Sequence, residues 1–247
     1  MKNLATTTPD TPLLANTADG ILTLTLNRPD HANSVTVDVG KSRIAHFQTA
    51  ASNPAIRAMV LTATGGIFCA GFDLKTQPQV DTLQLARERS KVWEALLFAT
   101  VDFPKPLVMA LNGPAVGLGC MFALLADRLV SVRDVILSLP EIRHGWPTPV
   151  GYTIAKFGLN HAIATDMVLS ARRVRLADVA HLRPPTEFTD RDQLLPAAQR
   201  AAASLSASHA ITYARNKQWL SHHLRQELKD AYVANTRFRD ENFAAAQ

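Results

Sequence analysis

Two segments concentrate glycine directly after short apolar runs, and both suit chemistry done by the main chain. Gly65-Gly66-Ile67-Phe68-Cys69-Ala70-Gly71-Phe72-Asp73 follows one such run, and Asn112-Gly113-Pro114-Ala115-Val116-Gly117-Leu118-Gly119-Cys120 follows another and opens a helical pattern. Glycine after a strand lets backbone approach a ligand closely, and the first turn of a helix leaves N–H donors free in a favourable dipole. Two such loops could each aim one N–H at a single oxygen, forming an oxyanion hole made of backbone. Glycines after strands also serve plain tight turns, and either loop alone is a weak signal. Neither loop fits a phosphate cradle. There is no Gly-Lys-Ser/Thr ending, and Gly117-Leu118-Gly119 lacks the later third glycine of a dinucleotide fingerprint.

The elements that must position these loops alternate. Residues 20–27 (GILTLTLN) read as a strand ended by Arg28-Pro29-Asp30, and 35–51 as a helix closing at Ser52-Asn53-Pro54. Residues 58–62 (AMVLT) and 107–111 (LVMAL) read as short buried strands. Between them, 82–101 carries a long amphipathic helical pattern broken by Pro104 and Pro106. A helix is expected over about 117–126, then strands over 128–132 and 135–139. Strand and helix in alternation predict an α/β fold with right-handed crossovers. From Leu194 onward the pattern is helical and Ala-rich without strand signals, which places a boundary near Asp190 between a core, 1–190, and a C-terminal helical region, 191–247. The first twenty residues read as a short disordered lead-in with neither a secretory nor a transit-peptide pattern.

Composition narrows the function classes. At 247 residues, with 47% hydrophobic and 19% charged, the chain is an ordinary globular sequence able to grow one core. No apolar run approaches the roughly 18 residues that span a bilayer, so no membrane partner is expected. The net charge of +5 suits an anionic ligand, but the basic residues are scattered rather than striped with aromatics, so nucleic acid is not expected. Cys69 and Cys120 are the only cysteines, which argues against a disulfide framework and a four-ligand zinc site, and points to the reducing cytoplasm. No metal or dinucleotide motif is present.

The order LTLNRP, VLTATGGIFCAGFDL, KPLVMALNGPAVGLGCMFALLADRLV and LPEIRHG resembles the crotonase superfamily, the enoyl-CoA hydratase/isomerase family, over about residues 20–180. The resemblance implies a crotonase-like ββα spiral core, an acyl-CoA thioester substrate, and no cofactor beyond its coenzyme A. It also implies that the helical C-terminus assembles a homotrimer or a dimer of trimers. In that family one oxyanion donor lies between Gly and Asp of an AGAD-like loop, which maps to Phe72 after Ala70 and Gly71 and before Asp73. The other is the middle of a GGG-like run, which maps to Leu118 after Gly117. Both act through backbone N–H, so the side chains reshape the pocket without removing the donors.

Hydratases of the family resemble one another in using two glutamates. The matching positions here are Met121 and Glu141, separated by 141 − 121 = 20 residues. Met121 cannot carry a proton, whereas Glu141, beside Pro140 in an apolar loop, should have its pKa raised by desolvation. One carboxylate suffices to shuttle a proton between two carbons, so the pattern is similar to that of Δ3,Δ2-enoyl-CoA isomerases, with Glu141 as general base. Read without the resemblance, Glu141 could be a salt-bridging or helix-initiating carboxylate. His144 could bond that carboxylate, line the pocket, or be an ordinary polar residue. The stretch Glu141-Ile142-Arg143-His144-Gly145 is also similar to one in carboxymethylproline synthases, which keeps carbon–carbon bond formation open. A pseudoenzyme that binds without catalysis is the remaining alternative. Trp146 either walls the acyl pocket or fills core. Lys75 occupies a position where relatives contact coenzyme A, and Arg28, after the first strand, could do similar work, although exposed cations are the default. The C-terminus departs from the family pattern, which puts a tail contribution to coenzyme A in doubt.

Overall fold

The strands at the centre are near-continuous apolar runs because both of their faces are covered. The computed structural model describes residues 11–73, 82–182 and 184–245. Its main sheet has six strands in the order β1-β2-β3-β4-β6-β9, with β1 (Leu13–Ala18) antiparallel to β2 (Ile21–Leu26). The other neighbours, β3 (Ala58–Ala63), β4 (Leu107–Leu111), β6 (Arg128–Ser131) and β9 (Thr186–Phe188), pair in parallel.

Side chains divide by strand parity. Met59, Leu61, Met109 and Leu129 join the larger core with α1 (Val37–Ser52) and α2 (Leu83–Val101), which supply Phe47, Leu96 and Leu97. Ala58, Val60, Val108, Ala110 and Val130 face the opposite way, onto α7 (Leu194–Ser206). That helix presents Leu194, Ala197, Ala198, Ala201 and Ala202, one stripe at helical spacing whose small side chains let it sit close to the sheet. The lead-in is corrected here: Leu13–Ala18 is ordered as an edge strand. Its outer residues are exposed, so sequence patterning is faint, and its order comes from the ladder to Ile21–Leu26.

Helices α1 and α2 each begin on a capping threonine. Thr36 accepts the N–H of Val39 at 3.2 Å, and Thr82 that of Leu85 at 3.2 Å. A second, three-stranded sheet, β5 (Ala115–Val116), β7 (Ile136–Ser138) and β8 (Val174–Arg175), carries the second glycine loop into α3 (Leu118–Leu124). Helices α4 (Pro149–Gly158), α5 (His161–Ser170) and the short α6 (Leu176–Val179) follow. The chain closes with α8 (Ala210–Leu220) and α9 (His222–Ala245), and α9 packs back against α4 and α2 of its own chain. Among the described residues no helix is long and apolar enough to cross a membrane.

Candidate active site

The two glycine loops meet. Gly71 has φ +94° and Gly117 φ +54°, conformations open to glycine and strained for residues with a Cβ. A Cβ on Gly71 would lie 3.1 Å from the Val116 carbonyl oxygen and 3.5 Å from the Leu118 nitrogen. One on Gly117 would lie 3.2 Å from Glu141 Oε1 and 3.8 Å from the Gly71 Cα. Both glycines are therefore required by close approach as well as by φ, and Leu118 N and a carboxylate oxygen converge on them.

Local bonding decides which amides are left over. Val35 donates to the Gly71 carbonyl at 2.8 Å and Asp73 to the Val35 carbonyl at 3.1 Å. In such a bridge the intervening Phe72 N–H points the other way, and it donates to none of the described residues. Gly117 donates to Ser138 O at 2.9 Å, whereas Leu118, the first residue of α3, has no intrahelical acceptor. Two free N–H donors thus flank one spot beside Glu141, the arrangement that stabilises a developing oxyanion.

Glu141 opens a 3₁₀ turn, Glu141–His144, capped by Pro140 and following the buried Leu139. Its Oε2 is buried without a hydrogen-bond partner among the described residues. Desolvation raises its pKa to about 7, opposed by its own backbone N–H. The neighbouring Cys120 thiol is pushed far up, chiefly by burial and then by the Glu141 charge. Cys69, also buried, accepts the Gly71 N–H on its sulfur at 3.4 Å, and both cysteines are free thiols.

A cavity of about 300 Å³ opens beside this carboxylate. Phe72, Met121, Glu141 and Trp146 are among the residues that line it. The Phe72 ring leans on Trp93, centroids 4.6 Å apart. Lining also comes from Ala86, Arg89, Ser90, Trp93 and Leu97 on one face of α2, and from Tyr232, Asn235, Phe238, Arg239, Asn242 and Phe243 on α9. These residues were not singled out from sequence. Their i, i+3, i+4 and i+7 spacing was the available signal, but it does not say which partner a helical face meets.

Other sequence candidates lie elsewhere. Arg28 and Asp73 hold each other, Nη1 to Oδ2 at 2.7 Å, and Ser34 bonds the same carboxylate oxygen at 3.1 Å. Arg28 Nη1 also donates to the Ser34 carbonyl at 2.7 Å. The pair pins the first glycine loop to the end of β2. Ala70 is half-buried and donates to Ala32 O at 3.0 Å. His144 is exposed, outside the cavity lining, with its ring 5.9 Å from that of Trp146. Lys75 lies outside the described residues.

This combination of fold and site has counterparts. The profile of the Enoyl-CoA hydratase/isomerase family matches residues 16–247, and the chain belongs to that family, within the crotonase superfamily. It is similar to the 2,3-dehydroadipyl-CoA hydratase of Escherichia coli (strain K12), 28% identical over 210 residues, which are 84% of this chain and 81% of that protein. It is also 31% identical over 125 residues to the 1,2-epoxyphenylacetyl-CoA isomerase of the same bacterium, covering 49% of this chain and 48% of that one. The crystal structure of an enoyl-CoA hydratase from Mycobacterium smegmatis matches with a TM-score of 0.81 at 22% identity, over 96% of this chain and 91% of that chain, a likeness of fold.

Proposed function

We propose that this family member isomerises enoyl-CoA thioesters, moving a double bond from the 3,4 to the 2,3 position. The observation that carries the reading is that Glu141 is the only carboxylate among the described residues lining the cavity, with Met121 where a second would stand. Hydration needs a group to deprotonate water and a route for a proton to carbon, whereas a 1,3-proton shift needs one base that takes and returns a proton.

The thioester oxygen sits between the Phe72 and Leu118 amides. Glu141 removes a proton from C2, the C2–H electron pair enters a dienolate, and negative charge gathers on the oxygen facing the two donors. Glu141 then returns the proton at C4, leaving a conjugated 2-enoyl thioester. Each donor of this kind contributes on the order of 3 kcal/mol to the transition state. A carboxyl that titrates near neutrality is suited to both halves of the transfer. Trp93, Met121 and Trp146 keep the intermediate from water.

Helix α8 exposes Ile211, Trp219 and Leu220, which suits the homotrimer or dimer of trimers implied by the family resemblance. Two buried free thiols suit a reducing cytoplasm. Arg28 and Lys75 as coenzyme A contacts belong to the same reading, with Arg28 also bound to Asp73.

The test is incubation with a 3-enoyl-CoA in deuterated water. Conjugation is expected, with C4 receiving mainly the proton taken from C2 rather than solvent deuterium, and it should be slowed roughly hundred- to ten-thousand-fold by Glu141→Gln. Retention of activity within a few-fold in that variant would place the base elsewhere.

A further inference from the structure

We propose that Arg43, buried behind the two glycine loops, supplies a fixed positive charge that stabilises the thioester enolate. The inference rests on the preceding reading in placing the enolate oxygen at the Phe72 and Leu118 amides.

Arg43 lies on the inner face of α1, with Val39, Phe47 and Ala50, and is fully buried. Its guanidinium carbon sits 3.8 Å from the centroid of the Phe122 ring. Phe122 is one turn beyond Leu118 on α3, about 6 Å along the axis, and shares a helix face with it. Arg43 also interacts electrostatically with Cys69 in the first glycine loop. The Cys69 sulfur accepts the Gly71 N–H at 3.4 Å, and its carbonyl accepts the Val116 N–H at 2.9 Å. One guanidinium therefore stands behind both loops, next to residues bonded to or stacked above the neighbours of each donor.

The charge is uncompensated. Arg43 Nε, Nη1 and Nη2 are all buried without a hydrogen-bond acceptor among the described residues. Burial lowers the Arg43 pKa only to about 10, so the group is cationic at neutral pH. The Cys69 thiol, pushed up to about 11 by burial, stays neutral there and offers no counter-charge. The Phe122 face offsets part of the desolvation cost, and an apolar residue of similar volume would avoid that cost altogether. Packing thus gives no reason for a cation at this place. The reaction does, because a full negative charge appears at the loops when Glu141 takes the C2 proton, and a preformed cation in a dry interior stabilises it without reorganising. Burial and its own N–H account for the Glu141 pKa, so the cation favours the enolate without weakening the base. At an effective dielectric of about 20, a unit charge roughly 10 Å from the oxygen shifts the enolate equilibrium about tenfold.

Acetoacetyl-CoA reads enolate stabilisation without turnover, because its enolate absorbs in the near ultraviolet and the acidity of the bound ester follows from a pH titration. It is titrated on the wild-type chain, Arg43→Met and Arg43→Gln. Hexanoyl-CoA, whose carbonyl meets the same amides without bearing a charge, is bound to each in parallel by calorimetry. The wild type is expected to make the bound ester more acidic than the free one. Both neutral variants should make it about tenfold less acidic than the wild type does, with hexanoyl-CoA affinity held within about twofold. Conjugation of 3-enoyl-CoA should lose about tenfold in kcat with KM little changed. Methionine fills the space without the charge, so that variant should fold, and glutamine supplies a second neutral side chain. An acidity that both variants retain overturns the proposal and leaves the amide donors standing. Loss of hexanoyl-CoA affinity in step with the enolate overturns it too, because the loops are then displaced. A wild type that leaves the ester no more acidic than in water removes the amide hole and this inference with it. An Arg43-dependent acidity without conjugation of 3-enoyl-CoA keeps the charge and removes the isomerase.

Discussion

Replacing Glu141 by Gln removes one ionisable group and almost no volume, so the variant isolates the effect of burying this carboxyl. In the folded chain its pKa is raised from 4.5 to about 7, first because burial penalises the charged form. A raised value means that the folded state holds the proton more tightly than the unfolded state. The stabilisation is therefore complete below pH 4.5 and is lost as pH climbs through about 7. The difference between those two values corresponds to about 3 kcal/mol. For a chain of this size that is about 6–12 °C in Tm. Wild type and Glu141→Gln should be melted side by side from pH 4.5 to 8.5, so that all other titrations cancel in the difference. Relative to the variant, the wild type should lose about that much Tm across the range, and its kcat/KM should rise to a plateau with an apparent pKa near 7. Tm curves that stay parallel within 2 °C would refute the desolvation argument, and with it the reason for expecting a base poised at neutrality.

Three further substitutions test other parts. Gly71→Val puts a branched Cβ at φ +94° and 3.1 Å from the Val116 carbonyl, so turnover should fall at least roughly hundredfold through displacement of the Phe72 amide; near-normal rates would sink the backbone donor. Met121→Glu places a second carboxyl in the cavity lining at a site only 4% exposed. The protein should stay folded with a lower Tm at neutral pH and gain measurable hydration of 2-enoyl-CoA, and a folded variant with no hydration would show that a second carboxylate is not what the site lacks. Arg43 is fully buried, its guanidinium lies 3.8 Å from the Phe122 ring centroid, and its nitrogens have no acceptor among the described residues. Arg43→Met should stabilise by about 1–3 kcal/mol in urea titration, whereas destabilisation would mean the cation–π contact outweighs desolvation.

The parts of the site visible in the sequence are those where geometry restricts residue type. Gly71 and Gly117 stand out because positive φ and close contact exclude most alternatives, and β3 and β4 because burial on both faces leaves apolar residues at every position but Thr62. The Arg28–Asp73 pair joins residues 45 apart, and no local pattern announces it. Helix α9 reads as a charged surface helix. That Tyr232, Phe238 and Arg239 face a cavity depends on docking against α2 and α4, which is a property of the packed chain rather than of any window within it. The strand Leu13–Ala18 is hidden for the same reason, since its order is lent by a neighbour.

The position of α9 also imposes an order in time. A chain emerging from the ribosome has both glycine loops and Glu141 once residue 141 is made, but the farthest lining residue, Phe243, comes 243 − 141 = 102 residues later. Until the last helix docks, the nascent core presents its amide donors and its carboxyl to water. A hydrated Glu141 at that stage would titrate at the ordinary value of a carboxyl, so proton-transfer competence is acquired late, at the step that seals the cavity. An incomplete chain would thus keep every reacting group and still be a poor catalyst, which limits what a half-made copy can do to a reactive thioester.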